Sequence, residues 1–437
     1  MIEKFINKNY EIVKFEDVAD IYVVNTCTVT NMSDRKSRQV IRRAKQINPK
    51  STLVVTGCYA QVATKELEKI KEIDLIVGNT EKKDIVSIVE FYLDNKSHLR
   101  NVELAIHSNP QNCAENSSDS IANKINLTDI NKQKDFVDFG STTYTDKTRA
   151  VIKVQDGCNN FCSYCIIPYA KGRVRSRKLE NVIEEIKKVK KTGIQEVVIT
   201  GIHIASYGID FEDRNIRLID LLEEINKIDG LKRIRLGSLE PNLITDEFVE
   251  RLKKVDKICD HFHLSLQSGC TETLKRMNRK YTAEDFEKVV KRLRDAFPNV
   301  ALTTDIIVGF PGESNEEFET TYNYLKRINF YKMHIFKYSP RKGTRAAVMP
   351  NQIDGNIKEE RSRRLIELSN KNEKSFLKEY IGREIEVLFE QKEGEYFKGH
   401  TSNYIVVRTK NESLANRLIK IKITKEDGLE LKGDILK

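Results

Sequence analysis

Between Arg149 and Lys337 the chain repeats a short β-rich run followed by a helix six times. The runs are Arg149 to Gln155, Glu196 to Thr200, Arg233 to Leu236, His263 to Leu266, Ala301 to Val308 and His334 to Lys337. Leu179 to Lys190, Asp246 to Val255, Ala283 to Asp295 and Asn315 to Ile328 are helices in the gaps. Such alternation predicts a parallel sheet with its helices outside. Six units fall short of the eight that close a barrel, so the expected form is a partial, open (β/α)6 barrel. Its active face is the carboxyl edge. Gly201-Ile202-His203, Ser238-Leu239-Glu240, Gln267-Ser268-Gly269 and the Gly309 to Glu313 loop all follow strands and are expected to gather there.

The loop after the first of these strands carries Cys158, Cys162 and Cys165 at C-x3-C-x2-C spacing. Thiolates hold iron–sulfur clusters one cysteine per iron, so three ligands on a four-iron cluster leave one iron open to a small molecule. An open metal position is a reactive one, as in catalytic zinc. The alternatives are a three-cysteine zinc site completed by a histidine, or unrelated buried thiols. Eight cysteines in 437 residues, three of them in one loop, point to metal chemistry in a reducing compartment and away from a disulfide framework.

The length calls for two or three domains. With no apolar run of about 18 residues and no signal peptide at Met1-Ile2-Glu3-Lys4, the chain is expected to be cytoplasmic, without membrane association, and a monomer. The net charge of +10 is mild evidence for an anionic partner. Basic residues cluster at Arg35, Lys36, Arg38, Arg42, Arg43 and Lys45, and again at Lys171, Arg173, Arg175, Arg177 and Lys178, either as solvated faces or as phosphate contacts.

Residues 1–92 read as a doubly wound parallel sheet. Ile21 to Asn25, Thr52 to Thr56 and Asp74 to Val77 are its strands; Asn31 and Ser33 are capping candidates for the helix between the first two, which Pro49 closes. Cys27 and Cys58 each stand just past a strand's carboxyl end, where such sheets bind ligands, although two small buried hydrophobes is the plainer reading of the pair alone. The Asn, Ser, Asp and Lys-rich stretch 93–148, with Cys113 expected as a free thiol, reads as a linker or insertion. The central unit spans 149–375. Residues 376–437 hold short alternating segments split by Gly and Asn turns, the pattern of a small antiparallel β-barrel of the oligonucleotide-binding kind. Residues 381–437 carry eleven Lys/Arg against ten Asp/Glu, so only a sided arrangement of the basic ones would argue for RNA.

The Asn25 to Thr30 segment (NTCTVT), Thr56 to Gln61 (TGCYAQ) and Gly157 to Pro168 (GCNNFCSYCIIP), in that order, resemble the methylthiotransferases of the radical S-adenosylmethionine (SAM) superfamily. Tyr169 to Arg177 and Thr200 to His203 are most similar to the branch acting on N6-threonylcarbamoyladenosine beside the tRNA anticodon, at tRNA position 37. The branches acting on isopentenyladenosine or on a ribosomal-protein aspartate share the architecture. The resemblance implies a radical SAM barrel in the centre and a carboxyl-terminal TRAM domain that grips the tRNA anticodon arm. It implies that Cys158, Cys162 and Cys165 hold a SAM-cleaving 4Fe–4S cluster, and that Cys27 and Cys58 supply two of the three ligands of an auxiliary cluster. It makes Tyr164, Gly201, Ser238, Gln267 and Gly312 candidate SAM contacts by motif position. The electron donor protein is left unknown.

The family places its first auxiliary-cluster cysteine in a Gly-Cys-x-x-Asn loop after an opening strand, and this chain begins inside the following helix. The expectation is a domain lacking its first strand and third ligand. Either the coding start has been assigned at an internal methionine, or the chain has lost its sulfur-donating cluster. On the first account, in-frame codons upstream of Met1 encode a strand, a Gly-Cys and a helix; sequencing that finds an in-frame stop directly before Met1 removes it. A rival of another class is an RNA-binding module whose cysteines hold zinc for folding.

Overall fold

A computed structural model describes residues 1–28, 30–108, 124–138, 148–213, 215–410 and 413–436, with backbone alone for 97–108. Cys113 lies outside the described residues. Two compact units are present, one of Met1–Thr142 with Cys165–Arg173, the other of Thr143–Tyr164 with Val174–Lys437. Among the described residues no helix is long and apolar enough to cross a membrane.

In the first unit β1 (Ile21–Thr26), β2 (Thr52–Gly57), β3 (Leu75–Val77) and β4 (Ile125–Asn126) pair in that order, all parallel. Side chains alternate across a strand, and both faces here are apolar. Tyr22, Val24, Leu53, Val55 and Ile76 pack against Ile41, Ala44, Tyr59 and Leu67. Val54, Leu75 and Val77 pack on the other side against Phe5, Ile85, Val86 and Val89. A parallel sheet buried on both faces is the expected doubly wound arrangement. The Asn31–Ile47 helix is capped by Thr30, whose hydroxyl accepts from Ser33 N at 3.1 Å. Asn31 and Ser33 thus lie inside the helix, because the extended backbone at Thr30 is what aims a hydroxyl at the free amides.

The stretch 93–148 contains ordered pieces that its composition concealed. The Ile85–Ser108 helix runs through Leu93, and Ile125–Asn126 extends the sheet beside β3. Two residues are too few to show a period, so composition alone read this segment as a linker.

The second unit holds the six parallel strands in chain order. They are β5 (Arg149–Asp156), β7 (Glu196–Gly201), β8 (Arg233–Leu236), β9 (His261–Gln267), β10 (Ala301–Val308) and β11 (Lys332–Lys337), with β6 (Arg175–Ser176) antiparallel on the outer edge of β5. Single bridges, Ile234 to Ile258 and Leu239 to Leu264, connect the β8 side to the β9 side. Among the described residues no ladder joins β5 or β6 to β11, so the barrel has an open seam. One set of alternating side chains, including Ile152, Ile199, Ile234, Phe262, Leu302 and Ile306, packs under the helices. The other set faces the lumen.

At the amino ends of the strands the lumen is closed by charge and by the carboxyl-terminal barrel. Glu196, 1 % exposed, lies 2.7 Å from Arg235 Nε, with Arg149 and Arg233 within 4 Å. The closing barrel is built from β12 (Glu384–Glu393), β13 (Tyr396–Thr401), β14 (Val406–Lys410), β15 (Leu418–Asp427) and β16 (Glu430–Ile435), in the closed order β12-β13-β14-β16-β15. It departs from the all-antiparallel expectation at one place, where β14 and β16 run parallel. The chain crosses between those strands by way of β15, which pairs antiparallel with β16, so β16 points the same way as β14. The core of this barrel, with Val387, Phe389, Val407 and Ile421, is shared with Ala301 and Tyr331 at the starts of β10 and just before β11.

Tyr404 occupies the turn before β14 at φ +68°. Its ring stacks on His261 and His400 at 5.1 and 4.7 Å, with the Arg235 guanidinium 4.7 Å from its centre. A left-handed tyrosine costs roughly 1–3 kcal/mol, and the stacking and cation–π contacts of its ring offset it. Replacing Glu196 by Gln leaves three guanidinium groups around a neutral amide; the expected loss is about 3–5 kcal/mol of stability, read as a lower urea midpoint. An unchanged midpoint would show that the arginines are held by other groups.

Candidate active site

The cysteine loop begins where β5 ends. Gln155 is wholly buried; its Nε2 donates to Asp156 O and Gly157 O, both at 2.8 Å, and its Oε1 accepts from His203 N at 2.7 Å. One side chain thus fixes the start of the loop to the loop after β7. Gly201 lies against Gln155, where a Cβ would come within 2.8 Å of Gln155 O. That close approach is a packing reason for the glycine, independent of any ligand.

Cys158 Sγ accepts from Asn160 N at 3.5 Å, and Cys162 Sγ accepts from Arg279 Nη1 at 3.2 Å. The loop between them is pinned from the segment after β9. Asn278 Nδ2 donates to Phe161 O at 3.0 Å; Ser163 N donates to Met277 O at 3.0 Å, and Ser163 Oγ to Arg276 O at 2.9 Å. Tyr164 packs with Met277, Phe310, Tyr338 and Ala346, its ring edge-on to Phe310. Burial pushes the Cys158 thiol up, against the opposing Asn160 N–H. Each sulfur has an N–H donor placed against it, from Asn160 and from Arg279, and three cysteines in one loop are the donor set that holds iron, so these residues fit a cluster.

Cys165 falls in the first unit, at the head of the Ile167–Lys171 helix. Asn79 Nδ2 donates to Ala170 O at 2.9 Å, holding this helix within that unit. Cys27 and Cys58 directly follow Thr26 and Gly57, which are register partners on adjacent strands, so both thiols emerge at one sheet edge. Gly57 has φ +108°, and a Cβ there would stand 2.2 Å from Thr26 O, so only glycine allows this approach. Among the described residues no three His, Cys, Asp or Glu side chains stand together at metal-holding distance.

A buried polar chain runs along the carboxyl edge. His203 Nε2 lies 3.1 Å from Asn160 Nδ2 and 3.7 Å from Glu240 Oε2; Glu240 Oε1 accepts from Arg279 Nη2 at 2.6 Å; Arg279 Nε donates to Tyr281 Oη at 2.8 Å. Burial pushes the Glu240 carboxyl up, but the His203 hydrogen bond and the Arg279 charge outweigh it and hold Glu240 below the usual carboxylate range. Burial opposes the charge on Arg279, yet Tyr281, Tyr164, Glu240 and Cys162 around it raise its pKa well above the ordinary value. Of the other residues singled out from sequence, Gln267 closes β9 at φ +74° and is largely buried, and Ser238 is exposed. Gly312 has φ +76°, and its carbonyl accepts from Arg276. Gln155, Asn160, Asn278 and Arg279 were not singled out, because the contacts that matter cross the chain: Gln155 and Asn160 reach His203 over 48 and 43 residues, Arg279 reaches Glu240 over 39, and Asn278 and Arg279 reach Phe161 and Cys162 over 117.

The basic clusters divide. Arg175 and Arg177 are buried and paired with Asp156 and Glu185, so they are structural. Arg35, Lys36, Arg42 and Arg43 are exposed along one helix. On the carboxyl-terminal barrel Lys410 and Lys432 flank the Tyr396 ring, with Lys398 and Arg408 beside them, and each is matched by an acid among Glu393, Glu395, Asp427 and Glu430.

A partial parallel barrel with a pinned three-cysteine loop at its carboxyl edge defines the radical SAM class, and the Radical SAM superfamily matches residues 152–325. Residues 1–78 match a family described as Uncharacterized protein family UPF0004. The chain is 41% identical over 428 residues to the threonylcarbamoyladenosine tRNA methylthiotransferase MtaB of Bacillus subtilis, covering 96% of this chain and 89% of that protein. It is 40% identical to the protein of the same name from Aquifex aeolicus, with 96% and 95% covered. To the tRNA-2-methylthio-N(6)-dimethylallyladenosine synthase of Moorella thermoacetica it is 33% identical, with 98% and 92% covered. The chain belongs to the methylthiotransferase family of the radical SAM superfamily: it is an enzyme that transfers a methylthio group, in a superfamily that uses a 4Fe–4S cluster and SAM.

Replacing Arg279 by Gln leaves Glu240 buried without its cation. The expected cost at neutral pH is about 3–5 kcal/mol. Because the folded-state pKa of Glu240 is depressed, the stability it contributes is present above the ordinary glutamate pKa and is lost as pH falls through the lower, folded value. The gap between wild type and variant in denaturant midpoint should therefore narrow as pH drops below about 4.5. A gap constant from pH 7 to acid would overturn the pairing.

Proposed function

We propose that this enzyme methylthiolates N6-threonylcarbamoyladenosine beside the tRNA anticodon. The observation that carries the reading is the higher identity to the two relatives named for that nucleoside, 40–41%, than to the dimethylallyladenosine synthase, 33%. That synthase, alike over nearly the whole chain, supports isopentenyladenosine as the second reading.

In this reading residues 1–92 form the methylthiotransferase domain, 149–375 the SAM domain and 376–437 the TRAM domain, with 93–148 between the first two. Cys158, Cys162 and Cys165 supply the three thiolates of the SAM-cleaving cluster. Cys27 and Cys58 supply two for the second cluster. A cluster held there would supply one electron to SAM, releasing methionine and leaving the adenosyl fragment able to remove hydrogen from an adenine carbon. Arg279 lends positive charge and a hydrogen bond to Cys162, and Gln155 holds the loop's entry in place. Tyr164, Gly201, Ser238, Gln267 and Gly312 stand at the barrel edge as contacts for SAM. The exposed arginines and lysine of the Asn31–Ile47 helix meet the phosphates of the anticodon arm. On the carboxyl-terminal barrel, phosphates compete with the acids paired to Lys398, Arg408, Lys410 and Lys432, so binding there should be strongly salt-dependent.

The test has two parts. Anaerobically reconstituted C158A, C162A and C165A proteins should each lose iron, sulfide and the production of 5′-deoxyadenosine from SAM. Nucleosides from a deletion strain should lack the 2-methylthio derivative of threonylcarbamoyladenosine. Loss of the isopentenyl counterpart instead would move the chain to the sister branch, and variants that keep full iron would overturn the ligand assignment.

A further inference from the structure

The lumen of the second unit has a middle layer that neither the Glu196 cluster below nor the cysteine loop above uses. His263 on β9 places its Nε2 3.2 Å from Asp305 Oδ2 on β10 and its Nδ1 3.0 Å from Thr303 Oγ1. The ring of His334 on β11 stands 5.7 Å from that of His263. In closed barrels this position is filled by branched apolar side chains. Here it is ionisable and reaches the open seam, where His334 is exposed. On the two strands that flank the seam, Val151 and Phe336 are each 50% exposed. Half-exposed apolar side chains beside hydrogen-bonding ones are the makings of a ligand site.

The layer suits a particular ligand. An exposed phenylalanine offers a face on which a base can stack. His263, held at both ring nitrogens, fixes Asp305 in place; Asp305 accepts from N–H or O–H groups, and the His334 imidazole donates to a carboxylate or a carbonyl. A threonylcarbamoyl arm presents all of these. An aliphatic arm would desolvate His334 and Asp305 without offering either a hydrogen bond, and sites built to hydrogen-bond a substituent reject analogues that lack it.

We propose that His263, Asp305 and His334 form the subsite that reads the N6 arm of the substrate adenosine and selects a carboxylate-bearing arm over an aliphatic one. This rests on the tRNA reading given above. The two separate in one experiment, the direct titration of reconstituted enzyme with three anticodon stem-loops that carry threonylcarbamoyladenosine, isopentenyladenosine or plain adenosine. Wild type is expected to bind the first most tightly. His334→Leu, at an exposed position, and Asp305→Asn, which keeps its shape, should each weaken the first RNA about tenfold or more and leave the other two within twofold. Equal weakening of all three RNAs, or of none, overturns the subsite and leaves the substrate reading standing. Wild type that prefers the isopentenyl RNA overturns the substrate reading and the subsite with it.

Discussion

Glu196 is the group around which the amino ends of the barrel strands are organised. A barrel of six strands leaves an open interior, and three arginines from two strands, β5 and β8, project into it. One buried carboxylate among Arg149, Arg233 and Arg235 converts that mutual repulsion into cohesion. The same arginines reach out of the barrel: Arg149 pairs with Glu390, Arg233 donates to Glu386 O, and Arg235 donates to Ser402 O. Charge that stabilises the floor of the central barrel therefore also fixes the small barrel beneath it.

At the other end the constraint is reversed. The carboxyl edge must hold a loop of thiols in place and leave room above it, and it does so from behind. Met277, Asn278 and Arg279, just past the Thr271–Arg276 helix, grip the loop's backbone and one sulfur, while Gln155 secures its entry. Arg279 is the shared element, touching Cys162, Glu240, Tyr281 and Ser265 O. A guanidinium suits this position because its planar fork satisfies several acceptors at once and stays charged when buried.

The parts of this architecture that were legible in the amino-acid sequence are those with a repeating pattern. All six barrel strands and four of the helices between them follow from alternating and helical periods, and Ala301–Val308 and Asn315–Ile328 are bounded as the pattern predicts. The short pieces were not legible: Ile125–Asn126 and Arg175–Ser176 are two-residue strands, defined by a neighbour and by no pattern of their own. The parallel pairing of β14 with β16 is a property of chain crossing, which local turns do not encode. At the site, cysteine spacing pointed to the loop, whereas the residues that hold it lie far off in the sequence. Arg175 and Arg177 show the limit of reading charge runs: each looks like a phosphate ligand until burial gives it a carboxylate.

Tyr404 carries a consequence for how such chains can be rearranged. Its backbone adopts a disfavoured conformation so that one ring can serve as the common keystone of two β-barrels, between histidines from each and under arginines from one. The small barrel is therefore not an interchangeable module. A chimera that grafts a foreign RNA-binding barrel after the Gly355–Lys378 helix would leave the floor of the central barrel uncovered unless the graft brought an aromatic residue to the same turn and acceptors for Arg149, Arg233 and Arg235, so recombination at that joint is filtered by a few matched positions.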